Sequence, residues 1–242
     1  MLGNKLLHYD SLSSTNDYLI NLCKDYHMTD SLIVLTDKQT GGKGRLNHKW
    51  YSNNGLFFSF LLDVDHFSQS FYINILTSLS VVKVLKRFKI DACVKYPNDI
   101  IVANKKITGI LIESIVANKK KYLIVGLGLN VNNSIFPNDI RDAVSMNMIT
   151  GLNYNKKNLL DVFALEFNAL IKESDQAKQK TFNLQHYIKI LYGYKHYVLC
   201  NYKEKRDLVK VLSVSNKGIL TIKFKSGDIK TVSYMDIKFL LS

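Results

Sequence analysis

Residues 107–116 and 122–131 are two apolar runs of strand length, and only Ala117-Asn118-Lys119-Lys120-Lys121 separates them. A polar stretch that short reverses the chain, whereas a parallel return takes a dozen or more residues. The two runs therefore read as an antiparallel hairpin. Residues 6–9, 31–36, 56–62 and 94–96 read as further strands. Ser14-Thr15-Asn16-Asp17 is a cap-like start with an acid three residues after Ser14, and Tyr18, Leu19, Leu22, Cys23 and Tyr26 follow at helical spacing. Residues 68–87 carry Phe71, Ile75, Leu79 and Val82 on one face, the pattern of a long amphipathic helix. Helices are also expected over 139–148, 157–172 and 178–191. Strands and helices mix without strict βαβ alternation, which predicts an α+β fold with a mixed, mostly antiparallel central sheet flanked by helices.

After residue 192 the rhythm changes. Residues 196–199, 208–214, 218–224 and 229–232 are short alternating runs, with turn signals at Asn216-Lys217-Gly218 and Lys225-Ser226-Gly227-Asp228. That rhythm predicts a small closed or half-closed barrel. The expected division is a main domain over 1–192 and a small β domain over 193–242.

The net charge of +13 invites a nucleic-acid reading. Of the 33 basic residues, however, only Arg45, Arg87, Arg141 and Arg206 are arginine, and the lysines are spread over the whole chain. Solvated surface lysines account for this better, with attraction of an acidic partner as the alternative. No apolar run approaches the ~18 residues of a membrane helix, and the first residues lack a signal-peptide pattern. Cys23, Cys93 and Cys200 are far apart and lack metal-ligand spacing. Free thiols and a cytoplasmic location are the expectation.

Four segments carry chemistry. Gln39-Thr40-Gly41-Gly42-Lys43-Gly44-Arg45-Leu46-Asn47-His48-Lys49-Trp50 places three glycines where backbone N–H groups approach an anion, beside Lys43, Arg45 and Lys49. Its bland alternative is a basic surface loop. Lys95-Tyr96-Pro97-Asn98-Asp99 breaks a strand at proline and presents an amide and a carboxylate, which suits a Mg²⁺-bound nucleotide or a simple Asx turn. Lys106-Ile107-Thr108-Gly109 sets a lysine at the mouth of an apolar strand with a glycine just inside it. Gly126-Leu127-Gly128-Leu129-Asn130-Val131-Asn132 clears one face of a strand at every second position.

Read in order, these segments resemble the biotin–protein ligase family. The family's S-T-N is matched by Ser14-Thr15-Asn16. Its glycine-arginine loop is matched in part by Gln39 through Trp50, and its K-W-P-N-D by Lys95-Tyr96-Pro97-Asn98-Asp99. Its K-x-x-G-I-L is Lys106 to Leu111, and its G-x-G-x-N-V-N is Gly126 to Asn132. Order and spacing hold over residues 6–133, and the later helices and terminal barrel agree in outline.

The resemblance implies a synthetase-like catalytic fold, of the class II aminoacyl-tRNA synthetase kind, with an SH3-like terminal barrel. It also implies an ATP- and Mg²⁺-dependent enzyme that joins biotin to AMP and passes it to a lysine of a carboxylase's biotin carboxyl carrier domain. Arg45 and Lys106 would meet the carboxylate and the α-phosphate as the catalytic pair. Ser14, Thr15, Asn16 and Gln39 would bind the biotin rings, with Lys43 and Gly44 beside them, and Gly109 and Gly128 would leave room for the apolar part. Gly42, Lys43, Asn98, Asp99 and Asn130 would serve the nucleotide, Mg²⁺ arriving with ATP near Asp99 rather than in a protein-only site. Lys43 and His48 stand where the family has arginine, so bidentate contacts are lost there. Asn47 stands for a glycine, and tolerates a left-handed backbone. Trp50, the only tryptophan, is expected in core packing rather than beside the nucleotide. The chain starts at the catalytic domain's first strand, so no DNA-binding module and no operator binding are expected. A monomer or a homodimer, away from membranes, is implied. The rivals are a lipoate–protein ligase or octanoyl transferase of the same fold, the latter needing a reactive cysteine such as Cys93, and a basic nucleic-acid-binding module.

Overall fold

The computed structural model describes residues 2–3, 5–25, 31–64, 70–173 and 177–241. Tyr26 and Ser68, expected at helix ends, lie outside the described residues. The expected hairpin forms as β6 (Lys105–Ala117) and β7 (Lys120–Leu129), with Gly109 directly opposite Gly128. Against the other edge of β7 lies β3 (Leu56–Asp63), antiparallel, with Phe57 opposite Gly128 and Ser59 opposite Gly126. β2 (Leu32–Gln39) pairs with β3, and β1 (Lys5–Leu12) lies parallel to β2, joined to it through helix α1 (Thr15–Asp25). The far side is completed by β4 (Cys93–Lys95) and β5 (Asp99–Val102), giving seven strands in the order β1-β2-β3-β7-β6-β5-β4. The sheet is mixed and mostly antiparallel, as expected.

Side-chain alternation along β3 sorts the two faces. Phe58 and Phe60 point to one face and meet Phe163 and Phe167 of helix α4 (Lys156–Glu173), with ring centroids 5.1 Å and 5.0 Å apart in edge-to-face pairs. Helix α2 (Ser70–Arg87) packs beside α4. Its middle is buried on most sides, and its hydroxyls turn back on its own backbone, Thr77 Oγ1 to the Ile73 carbonyl at 2.8 Å and Ser80 Oγ to that of Leu76 at 2.7 Å. Leu61, on the opposite face, packs with Leu19 and Cys23 of α1. Beyond α1 that second face is left for the site.

Three expectations change. The helix expected over 139–148 is only Met146–Thr150 (α3), capped by Ser145, whose Oγ accepts from Met148 N at 3.0 Å. Residues 142–144 instead run beside Lys106: Lys106 N donates to Asp142 O at 2.6 Å and Val144 N to Lys106 O at 3.0 Å. That pairing holds the backbone extended up to the cap. The strand before Pro97 ends as expected, but the strand that follows it was not anticipated. The Tyr96–Pro97 bond is cis, and the chain turns back into β5, a strand of four residues too short to announce itself. Finally, β12 (Ile237–Phe239) was not anticipated.

Helix α5 (Ala177–Lys189) leads to β8 (Val198–Tyr202), β9 (Lys205–Val214), β10 (Leu220–Phe224) and β11 (Ile229–Val232). With β12 they form an antiparallel sheet in the order β11-β10-β9-β8-β12. Its core, including Val209, Leu220, Ile222 and Phe239, is continuous with that of the main sheet. Val94 N donates to Ile190 O and Tyr192 N to Val94 O, both at 2.8 Å, so backbone bonds tie β4 to the chain just before the small sheet. Among the described residues no helix is long and apolar enough to cross a membrane.

Candidate active site

A cavity of about 780 Å³ opens on the face of the main sheet that α1 leaves free. Its floor is β6 and β7 where glycines pair. A Cβ built on Gly128 would lie 2.6 Å from the Trp50 indole, and one on Gly109 would lie 2.8 Å from it. The space cleared by these glycines therefore holds the indole itself. Trp50 is half-buried and lines the cavity, so it is a wall of the site rather than the core residue expected.

One end of the cavity is polar. Ser14, Thr15 and Asn16, at the start of α1, are all buried and all line it, as does Gln39 at the end of β2. Gln39 Oε1 accepts from Thr15 N at 3.0 Å and from Thr15 Oγ1 at 3.2 Å. Asn16 Nδ2 donates to Glu113 Oε2 at 2.6 Å. Ser59, fully buried on β3, reaches both Thr15 Oγ1 (2.6 Å) and Asn16 Oδ1 (2.5 Å) from behind.

The other end is cationic. Asn98 continues the sheet with its side chain: Nδ2 donates to Ile110 O at 2.8 Å, while Ile110 N donates to Asn98 O at 2.9 Å. This leaves Asn98 Oδ1 to accept from Arg45 Nη1 at 3.1 Å. The neighbouring Asp99 pairs with Lys106 Nζ at 2.6 Å. The turn after β4 thus holds both expected catalytic cations, and both line the cavity with Gly109 and Gly128. Lys106 also lies over the Trp50 ring, 5.0 Å from its centroid. Lys43, Lys49, Lys95, Lys203 and Lys238 add positive charge, against Asp99, Glu204 and Asp236. Burial lowers the Lys95 ammonium below the ordinary lysine value, partly offset by Asp99.

The glycine-rich loop is arranged differently from the anion cradle expected. Gly41 N donates to Ser13 O at 2.8 Å and Gly44 N to His48 O at 2.7 Å, so those amides are already spent on the chain. Trp50 N to Gly42 O closes a small hairpin, whose left-handed residue is Leu46 at φ 55°. Gly42 is buried under Gln39 and Trp50 and does not line the cavity, whereas Gly44 does. Lys43 lines it too, but its Nζ pairs with Asp17 Oδ1 at 2.8 Å, and that hydrogen bond raises its pKa. Asn130 opens instead on an adjoining cavity of about 320 Å³, and its Nδ2 serves the carbonyls of Val144 (3.1 Å) and Lys106 (3.3 Å). The two cavities share Lys49, Trp50, Lys95, Asp99 and Lys106.

Sequence reading missed the contribution of the small sheet. The turn between β11 and β12 brings Tyr234, Met235 and Asp236 to the cavity, and the Arg45 guanidinium stacks on the Tyr234 ring, 4.2 Å from its centroid. Tyr96 Oη donates to Gly218 O in the turn between β9 and β10. Nothing periodic or motif-like marks Tyr234, Ser59 or Glu113 in the sequence. Cys93 is half-buried, with its thiol pushed up to about 11 by burial, and so lacks the thiolate character an acyl-transfer cysteine needs.

The sequence pattern of the biotin/lipoate A/B protein ligase family matches residues 9–130, half of the chain. The chain belongs to that family. Within it, a "Bifunctional ligase/repressor BirA" of Bacillus subtilis is 30% identical over 175 residues, 69% of this chain and 54% of its own length. A human "Biotin--protein ligase" is 30% identical over 180 residues, 70% of this chain and 24% of the relative. The chain thus spans about half the length, or less, of these curated relatives. Across the whole fold, a solved biotin protein ligase from Aquifex aeolicus, in complex with biotin and ATP, superposes with a TM-score of 0.81 at 28% identity, covering 99% of this chain and 100% of that one.

Proposed function

We propose that this member of the family is a biotin–protein ligase, using ATP to make biotinyl-AMP and then biotinylating a lysine of a biotin carboxyl carrier domain. The observation that carries the reading is the meeting of Arg45 and Lys106 in one cavity, each held by the Asn98-Asp99 turn, beside the polar group at Ser14, Thr15, Asn16 and Gln39. In the first step a biotin carboxylate oxygen bonds to the α-phosphorus of ATP, and the bond to the departing pyrophosphate breaks. Two anions must approach, so fixed cations contribute directly. Lys106, flexible and compact, suits the carboxylate and α-phosphate, while Arg45, planar and bound to Asn98, suits two oxygens at once. In the second step the carrier lysine's amine attacks the acyl carbon and AMP leaves.

The adjoining cavity, with Asn130 shaping its wall, is the nucleotide's place in this reading, and the shared residues mark where the two substrates meet. Lys43 and Gly44 border the biotin end; Gly42 supports the loop. Asp99, paired with Lys106, is the carboxylate among the shared residues. Mg²⁺ would arrive on the nucleotide's phosphates and lie near it. Trp50, Gly109 and Gly128 provide the apolar wall. The five-stranded sheet serves as an SH3-like module over 193–242, appended to a catalytic domain over 1–192. A monomer or homodimer in the cytoplasm, acting on an acidic-surfaced carrier and not on DNA, completes the reading.

The test is incubation with ATP, Mg²⁺, biotin and a carrier domain. Biotin-dependent mass gain on the carrier is expected, with adenylate formation slowed at least a hundredfold in Lys106→Ala, as for loss of a fixed transition-state charge contact worth roughly 3 kcal/mol. Gain with lipoate alone would overturn it, and near-wild-type rates in Lys106→Ala would remove Lys106 from the chemistry.

A further inference from the structure

The turn that holds both cations is itself pinned from separate parts of the chain. Asn98 is tied to β6, its Nδ2 donating to Ile110 O at 2.8 Å. The Pro97 carbonyl accepts from Asn74 Nδ2 of α2 at 2.8 Å and from Tyr187 Oη of α5 at 3.3 Å. A further anchor comes from the small sheet. Tyr96, buried and directly before the turn, donates its hydroxyl hydrogen to Gly218 O. Burial pushes that hydroxyl up to about 12, so it keeps the proton that makes the bond.

The acceptor is held as firmly as the donor. Gly218 sits in a left-handed turn at φ 78°, and its N–H donates to Ser215 O at 3.0 Å. A Cβ on Gly218 would lie 2.9 Å from the Phe71 ring of α2, so the turn between β9 and β10 is seated against the main body. A carbonyl held this way is a fixed point rather than a mobile partner. What residues 96–99 carry makes the fixed point matter. Asn98 Oδ1 accepts from Arg45 Nη1 at 3.1 Å, and Asp99 Oδ1 meets Lys106 Nζ at 2.6 Å. A shift of the turn is therefore passed to both cations at once. The polar end of the cavity is held instead through α1, β2 and β3.

We propose that Tyr96 is a positioning residue for adenylate formation: its bond to Gly218 lets the small sheet set the Asn98-Asp99 turn and, through it, Arg45 and Lys106. This rests on the ligase reading and deepens it, because the small sheet then supports the chemistry by a route separate from the Tyr234 ring on Arg45.

The test uses Tyr96→Phe in the full chain, which removes one oxygen and keeps the ring. Adenylate formation is read by biotin-dependent exchange of pyrophosphate into ATP, biotin affinity by calorimetry and folding by melting temperature. The kcat for exchange should fall about tenfold while the biotin Kd stays within about twofold of wild type, a misplacement of about 1 Å being able to cost up to about a hundredfold. In the Lys106→Ala background the same substitution should cost about threefold or less, because one of the two cations it positions is already gone. A tyrosine that only holds the fold would lower the melting temperature and cost the same factor in both backgrounds, which overturns the proposal. Exchange at the wild-type rate in Tyr96→Phe overturns it too, and both results leave the ligase reading intact. Wild-type protein that shows no biotin-dependent exchange overturns the ligase reading and this proposal together.

Discussion

At the residue scale, the glycines at every second position of β7 were legible as a cleared strand face, because alternation alone puts 126 and 128 on the same side. What fills the clearing was not legible, since it depends on how Trp50 folds back across the sheet. Gly126 shows how tight the fit is: a Cβ there would lie 2.2 Å from Asn16 Oδ1. Gly126→Ala must therefore displace Asn16 from both Ser59 and Glu113. With overpacking costing about 1–3 kcal/mol, biotin affinity should fall by about tenfold or more, measured by calorimetry, and unchanged affinity would show that Asn16 is not needed where it sits. Lys95 offers a pH test. Its ammonium is held below the ordinary lysine value by burial, so between its folded value and the unfolded 10.5 the folded chain binds fewer protons. Stability then rises with pH through that window. Lys95→Met lacks this gain, so its melting temperature should lead that of wild type at neutral pH and lose the lead as pH approaches 10.5.

At the scale of elements, the long hairpin, α2 and α4 were legible because each repeats its pattern over enough residues to be unambiguous. Short elements were not. β5 spans four residues and β12 three, below what alternation can mark. The helix expected over 139–148 failed because a tertiary contact overrode local pattern: the Lys106 backbone pairs with 142–144 and keeps that stretch extended. The helix begins only where Ser145 caps it, accepting from Met148 N while its own hydroxyl donates to Asn133 O at 2.5 Å. Ser145 is fully buried, so no water replaces it. Ser145→Ala should cost about 1 kcal/mol for the lost cap, a melting temperature lower by roughly 2–4 °C for a chain of this size. A scanning calorimetry trace matching wild type would mean that α3 holds without its cap.

At the scale of the whole molecule, the change of rhythm near residue 192 was legible, but the use made of it was not. Sequence reading gives the last strands no part in the cavity, whereas the hydrophobic core runs through both sheets and Tyr234 reaches back to the glycine-rich loop. Such long-range contact leaves no local pattern. The consequence is that Arg45 is gripped from two sides, by Asn98 of the main sheet and by the Tyr234 ring of the small one. A guanidinium over an exposed aromatic ring contributes about 0.5–1 kcal/mol, which corresponds to about a two- to fivefold change in how firmly Arg45 is held in the cavity. Tyr234→Ala should therefore speed escape of biotinyl-AMP by that factor, read as biotinylation of a bystander protein lysine in a carrier-free mixture. Tyr234→Phe keeps the ring face and should behave as wild type. If alanine and phenylalanine leak equally, the phenol oxygen rather than the ring holds the small sheet against the loop; if neither leaks, Asn98 alone is enough to keep Arg45 in place.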